Sequence, residues 1–290
     1  MAQKGKHGAG ADDGTTRRLV TSVVGVLAGF LVVALAVFVG VKFFGGHGQT
    51  AASSASGTPS AAPAIPVPNV PADVLAKLPR ATTEGTVPKA PVDLQTQSNG
   101  RTINIARDMP GFARPGADPI TVIPKSQFGA ATWLPVLRTT SGWAQVRLPA
   151  KPNGGTAWVP EAGLGMAQTT WSVKVALGAE TITISKAGKK VGSWPIGQGM
   201  ADTPTPVGQT FLLGSFVDPK QNFSPVIYAL GTHSDTLDTY GGGPGTVAVH
   251  GWPTEKGRLG KVSHGCVRVP QATLDAFAKL PTGTPIDITA

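Results

Sequence analysis

The chain has one cysteine in 290 residues, and charged side chains make up only 14% of it. A single cysteine excludes an intrachain disulfide and any spaced Cys-x-x-Cys metal knuckle. The thiol, Cys266, is therefore incidental, paired with another chain, or reactive. Acidic residues are scarce: 16 against 25 Lys and Arg, for a formal net charge of +9. Lys4, Lys6, Arg17 and Arg18 against Asp12 and Asp13 give the first 18 residues +2, which leaves +7 for the rest. A basic exterior favours an anionic envelope surface or nucleic acid, and it is equally a solvated surface with no single partner. Nothing in the chain resembles a nucleic-acid module, so no nucleic-acid partner is expected. There is no internal repeat.

What the chain does have, near its start, is a long uncharged run. Leu19 to Val41 reads LVTSVVGVLAGFLVVALAVFVGV. At about 1.5 Å per residue it spans roughly 35 Å, enough for the hydrocarbon core of a bilayer. Arg17 and Arg18 precede it and only Lys42 follows closely, so the positive-inside bias sets the N-terminus in the cytoplasm and the rest outside. The rival reading is a cleaved signal peptide, with small residues Ala51 to Ser54 for cleavage. The apolar region of such a peptide is about 7–15 residues, shorter than this one. The organisation read from the sequence is therefore a cytoplasmic tail over 1–18, a single membrane anchor over 19–41, and an extracytoplasmic remainder.

Residues 42–98 are rich in Ala, Ser, Thr, Pro and Gly (TAASSASGTPSAAPAIPVPNVPA) and poor in bulky apolar side chains. Burial there cannot offset the entropy of ordering, so a flexible, partly polyproline spacer is expected, with no more than a helical turn near Val74–Leu78. From 99 to 168 come short strand-like runs bounded by Gly, Pro, Asn or Ser: Thr102–Ala106, Ile120–Ile123, Thr132–Leu137, Trp143–Leu148 and Thr156–Val159. They predict a small all-β barrel or sandwich, with Trp133, Trp143 and Trp158 packing its core. The stretch Thr132–Pro160 resembles bacterial SH3-like modules. A second β-rich unit covers 170–290. Trp171–Leu177 and Glu180–Ser185 flank Gly178-Ala179 as a hairpin. Lys190–Gly197, Thr210–Ser215, Val226–Leu230, Thr246–His250 and Pro285–Thr289 are further strand candidates. Pro270–Leu280 is the one helical stretch, with Leu274, Phe277, Ala278 and Leu280 on its apolar face.

The text VAVHGWPTEKGRLGKVSHGCVRVP carries the chemistry. His250 ends an apolar run that would bring it to a sheet edge. Cys266 follows sixteen residues later in Ser263-His264-Gly265-Cys266. The polar, glycine-containing segment between them reads as a loop long enough to fold His250 back onto the thiol. A free thiol has a pKa near 8.5, and a neighbouring imidazole takes its proton and lowers that value. Gly265 permits unusual dihedrals beside the nucleophile, and the N–H groups of His264, Gly265 and Cys266 then converge on a developing oxyanion. The competing chemistry is a metal site from His250, His264 and Cys266. Only one residue separates His264 from Cys266, and no second cysteine exists to build a knuckle.

These residues resemble the L,D-transpeptidase family, the YkuD domain, whose pattern is a His, a spacer of this length, then Ser/Thr-His-Gly-Cys, an apolar residue, and Asn or Arg. Here the pattern reads His250, Ser263-His264-Gly265-Cys266, Val267, Arg268. Gly199–Gly208 (GMADTPTPVG) resembles the family's Thr-Pro-Thr-Pro-x-Gly turn, and Tyr240-Gly241-Gly242-Gly243 fits its actinobacterial-looking members. The resemblance covers about residues 171–290. It implies a mostly β sandwich with one short helix and the nucleophile in a groove under a flap. It also implies Cys266 as nucleophile, His250 as general base, the Gly251 carbonyl as its orienting group, and His264 and Gly265 in the oxyanion segment. Ser263 and Arg268 would support the loop or a substrate carboxylate. His233 falls in the expected flap, Gly231–Asp235, and reads as a groove-lining residue or, in preference, a solvated loop histidine. The implied partners are peptidoglycan stem peptides, with carbapenem-type β-lactams as inhibitors, and no metal or organic cofactor is implied. The implied reaction is 3→3 cross-linking with loss of D-Ala. Hydrolysis of the same acyl-enzyme, an L,D-carboxypeptidase reaction, and a non-catalytic wall-binding role are the alternatives.

Overall fold

The computed structural model describes residues 63–240 and 243–290. The tail expected over 1–18, the span over 19–41, the spacer as far as residue 62, and Gly241 and Gly242 lie outside these residues. Among the described residues no helix is long and apolar enough to cross a membrane. The described residues all belong to one compact unit, and it is mostly β.

The first sheet is antiparallel and has seven strands. They are β1 (Arg101–Asn104), β2 (Met109–Phe112), β3 (Pro119–Ile123), β4 (Trp133–Thr140), β5 (Trp143–Arg147), β6 (Thr156–Pro160) and β7 (Met166–Gln168). Their order is β3-β2-β6-β5-β4-β1-β7. Ser141 (φ 47°) and Gly142 (φ 84°) join β4 to β5 as a two-residue turn with both central φ values positive, the geometry that matches strand twist. Ile103, Leu134, Val136, Val146 and Val159 point into one core. Trp143 is fully buried and meets Phe112 edge-on, the ring centroids 5.2 Å apart, in keeping with a packing role.

The spacer expected over 42–98 differs from its described part. Residues 63–98 run along this sheet, with a single helical turn, α1 (Ala72–Leu75). Ala81, Val87 and Ala90 are buried in the first core. Trp143 Nε1 donates to the Ile65 carbonyl at 2.9 Å, and the buried Arg147 guanidinium donates to the carbonyls of Asp93 and Thr96. Low hydrophobicity in the segment itself is offset by apolar surface and an arginine supplied from elsewhere in the chain, which composition of the segment alone does not reveal.

The second sheet has ten strands: β8 (Trp171–Ala176), β9 (Thr181–Lys186), β10 (Lys189–Pro195), β11 (Gly197–Gly199), β12 (Gly208–Phe216), β13 (Ile227–His233), β14 (Thr246–His250), β15 (Gly260–Ser263), β16 (Val267–Arg268) and β17 (Pro285–Thr289). Their order is β10-β9-β8-β17-β12-β13-β14-β16-β11-β15. The hairpin expected around Gly178-Ala179 is present, with Ala176 opposite Thr181. Val173, Val175, Ile182, Ile184, Ile286 and Ile288 alternate inward and meet α2 (Gln271–Phe277), whose Leu274 and Phe277 are buried. Pro270 caps that helix at φ −71°.

Strand β12 serves both cores. Phe211 and Leu213 lie in the first, while Leu212 between them lies in the second. Successive side chains of a strand leave by opposite faces, so one strand supplies both.

Candidate active site

Three short strands carry the site, β11, β15 and β16, and β15 lies in the segment read from the sequence as a loop. Strand β16 runs parallel to β14, with Val249 opposite Val267 and His250 opposite Arg268. The period of two directs His250 and Arg268 to the same face, and Cys266, two residues before Arg268, to that face as well. The thiol and the imidazole are thus delivered by adjacent strands.

His250 is buried, and its Nδ1 donates to the Gly251 carbonyl at 2.7 Å. That bond fixes the tautomer and leaves Nε2 as the free lone pair. The Gly251 N–H is held by Ser224 Oγ at 2.8 Å, and Ser224 Oγ donates to the Val226 carbonyl at 2.6 Å. Phe223 packs on the imidazole at 5.0 Å between centroids and stacks on Trp252 at 5.3 Å. Burial drives the His250 pKa down to about 4, with Arg268 adding to the fall and the Gly251 bond opposing it. The ring is neutral at pH 7 and able to accept a proton.

Burial pushes the Cys266 thiol up, and the Ala248 backbone and Arg268 pull it back only in part. The sequence predicts a thiol lowered by its histidine. Instead, removal from water penalises both the thiolate and the imidazolium, so each side chain is held toward its uncharged form. Arg268 is buried, its guanidinium carbon 3.6 Å from the centre of the Trp252 ring, with Nη1 donating to the Gly257 carbonyl at 3.2 Å.

The loop before the thiol is closed on itself. Ser263 Oγ donates to the Cys266 carbonyl at 2.5 Å and accepts from Gly265 N at 3.2 Å. The Gly265 N–H, expected among three oxyanion donors, is thus engaged by Ser263. Gly265 sits at φ +115°, a conformation glycine tolerates. The Gly199–Gly208 segment grips this loop from outside. Met200 N and Thr203 Oγ1 both donate to the Ser263 carbonyl, at 2.9 and 3.3 Å. Thr205 Oγ1 accepts from Gly199 N and donates to the Gly265 carbonyl, each at 2.9 Å. His264 is exposed, and its ring lies 4.7 Å from the Tyr240 ring.

His233 is not a solvated flap residue. It ends β13, is buried, and Nε2 donates to the Thr83 carbonyl at 2.6 Å. Thr83 comes from a distant segment, and this contact is invisible in the local text. Sequence reasoning also missed Ser224, Phe223, Trp252 and the two threonines. Only Thr203 and Thr205 had a signal, inside the Thr-Pro-Thr-Pro turn. Among the described residues no group of three or more His, Cys, Asp or Glu could hold a metal ion. Two clefts of about 450 and 480 Å³ share Gln168 to Trp171, and neither is lined by Cys266 or His250.

Residues 171–288 match the YkuD family model, described as the L,D-transpeptidase catalytic domain. No curated protein matches the chain. Among solved structures, an L,D-transpeptidase from Mycobacterium smegmatis is 17% identical, with 51% of this chain and 91% of that one covered and a TM-score of 0.34. L,D-transpeptidase 3 from Mycobacterium tuberculosis is 16% identical over 48% of this chain and 76% of that one, with a TM-score of 0.37. The same enzyme in complex with a faropenem-derived adduct is 16% identical, over 48% and 75%, also at 0.37.

Proposed function

We propose that this chain is a peptidoglycan L,D-transpeptidase with Cys266 as nucleophile and His250 as general base. The observation that carries the reading is the His250 tautomer. Nδ1 is committed to the Gly251 carbonyl, so the free Nε2 lone pair belongs to a residue on the strand beside Cys266. The matched catalytic segment supplies the substrate class.

In this reading the Cys266 sulfur attacks the carbonyl between the third-position diamino acid and D-Ala of a stem tetrapeptide. The thiol proton passes to His250 Nε2 as the S–C bond forms, which suits an uncharged pair better than a preformed ion pair. The oxyanion is met by backbone N–H groups of the Cys266 loop. On collapse the C–N bond breaks, the imidazolium returns the proton to the leaving amine, and D-Ala departs. The amine of a neighbouring stem attacks the thioester, loses its proton to His250, and restores the thiol with a 3→3 cross-link. The Leu19–Val41 run anchors the chain with its N-terminus in the cytoplasm and the enzyme in the wall space, as its length and the preceding arginines favour. Residues 99–168 are read, on the SH3-like resemblance of Thr132–Pro160, as an appended wall-facing module.

The test is intact-mass analysis of the full chain with a carbapenem and with disaccharide-tetrapeptide donors. A covalent adduct and a 3→3 dimer with the parent, both absent in Cys266→Ala, are expected. A parent that forms no adduct while still folded overturns the nucleophile assignment. A tripeptide product with no dimer, in the presence of acceptor, replaces transfer by hydrolysis.

A further inference from the structure

The Thr-Pro-Thr-Pro turn has no part in the chemistry above, yet its two threonines are buried at the nucleophile loop (7% and 4% exposed). From this geometry we infer that Thr205 is a positioning residue for the oxyanion: by holding the Gly265 carbonyl it sets the direction of the Cys266 N–H. The inference rests on the proposed acyl transfer and adds to it the part that orients its donor.

The Thr205 hydroxyl both accepts and donates. It accepts from Gly199 N and donates to the Gly265 carbonyl, both at 2.9 Å, so its proton has one direction. The Gly265 carbonyl and the Cys266 N–H belong to one planar trans peptide and point opposite ways. Fixing the carbonyl on Thr205 therefore aims the N–H away from the turn. Among the described residues no hydrogen-bond acceptor takes up that N–H, whereas the neighbouring Gly265 N–H is already held by Ser263 Oγ. Gly265, at φ +115°, has no Cβ to restrict the orientation of this peptide. The turn packs closely on Gly199, where a Cβ would lie 2.3 Å from the Thr203 carbonyl oxygen and 2.5 Å from Thr205 N. Thr203 and Met200 hold the other end of the loop at the Ser263 carbonyl.

The role is separable from a general structural one, because two reactions of the same thiol differ in their need for the donor. Acylation by a carbapenem passes through an oxyanion, whereas alkylation by iodoacetamide does not. With the full chain, Thr205→Val is expected to slow acylation by about 10- to 100-fold, less than outright removal of an oxyanion donor. Alkylation should change by less than about threefold, and Thr205→Ser should restore acylation to within about threefold of the parent. Thr205→Ala, which adds no bulk, replaces the valine variant if that one does not fold. Equal loss in both reactions, or acylation unchanged in the valine and alanine variants, overturns the inference while leaving the nucleophile intact. A parent that alkylates but never acylates overturns the functional reading itself.

Discussion

Arg268 stands opposite His250 in the parallel pairing of β14 and β16, and its positive charge adds to the burial that keeps the imidazole uncharged. Replacing this charge with a neutral group of similar shape, as in Arg268→Gln, raises the His250 pKa. The acid limb of carbapenem acylation then moves to higher pH, a shift read directly from the rate against pH. The same change removes the stacking on Trp252, so Arg268→Lys, which keeps the charge, separates the two effects. An acid limb that stays put in Arg268→Gln would refute the electrostatic coupling.

The His250 burial also has a stability consequence. Its pKa is about 4 in the folded chain against an ordinary 6.5, so below 6.5 the unfolded chain takes up the proton first. The folded state is favoured fully above about pH 6.5 and loses up to about 3 kcal/mol as pH falls toward 4. His233, lowered by burial in the same direction, adds to the slope. Denaturant titrations at pH 7 and pH 4 should therefore show a smaller difference for His250→Gln than for the parent.

The thiol titration has the opposite sign from that of an activated cysteine. Because burial holds the Cys266 thiol above its ordinary range, iodoacetamide alkylation of the parent should keep rising through pH 8 and 9. A rate already at its plateau at pH 7 would mean a preformed thiolate and would contradict the uncharged pair.

Two glycines test the scaffold around the thiol. At Gly265, φ +115° makes any Cβ strained, so Gly265→Ala is expected to cost about 1–3 kcal/mol and to slow acylation. At Gly199 a Cβ meets backbone at 2.3 Å and the turn must move, which releases the Thr205 bridge as well. Thermal melts and acylation rates should fall together for Gly199→Ala.

What could be read from the sequence was set by the period of two and by chemistry-bearing residue types. Val173, Val175, Ile182 and Ile184 announce their strands, and Cys266 and His250 announce a reactive pair. The three strands that join that pair could not be read, because Gly197–Gly199, Gly260–Ser263 and Val267–Arg268 are short, polar or glycine-rich. Pairing partners far along the chain make them strands. The raised thiol and the buried His233 were hidden for the same reason: both depend on what covers them, and cover comes from distant segments. Thr205 lay inside a motif that was noticed, but only hydrogen-bond geometry links it to Gly265.

The alternation along β12 sets the matched segment apart from the folding unit. The segment that matches the family model begins at 171, just before β8. The border of cooperative burial does not fall there, since Phe211 and Leu213 complete the core that β1 to β7 enclose. A catalytic segment excised at residue 170 or transplanted onto another module would carry these two side chains into water. Any new neighbour would have to offer an apolar socket for them, which makes the upstream sheet a constraint on how this chain can be recombined.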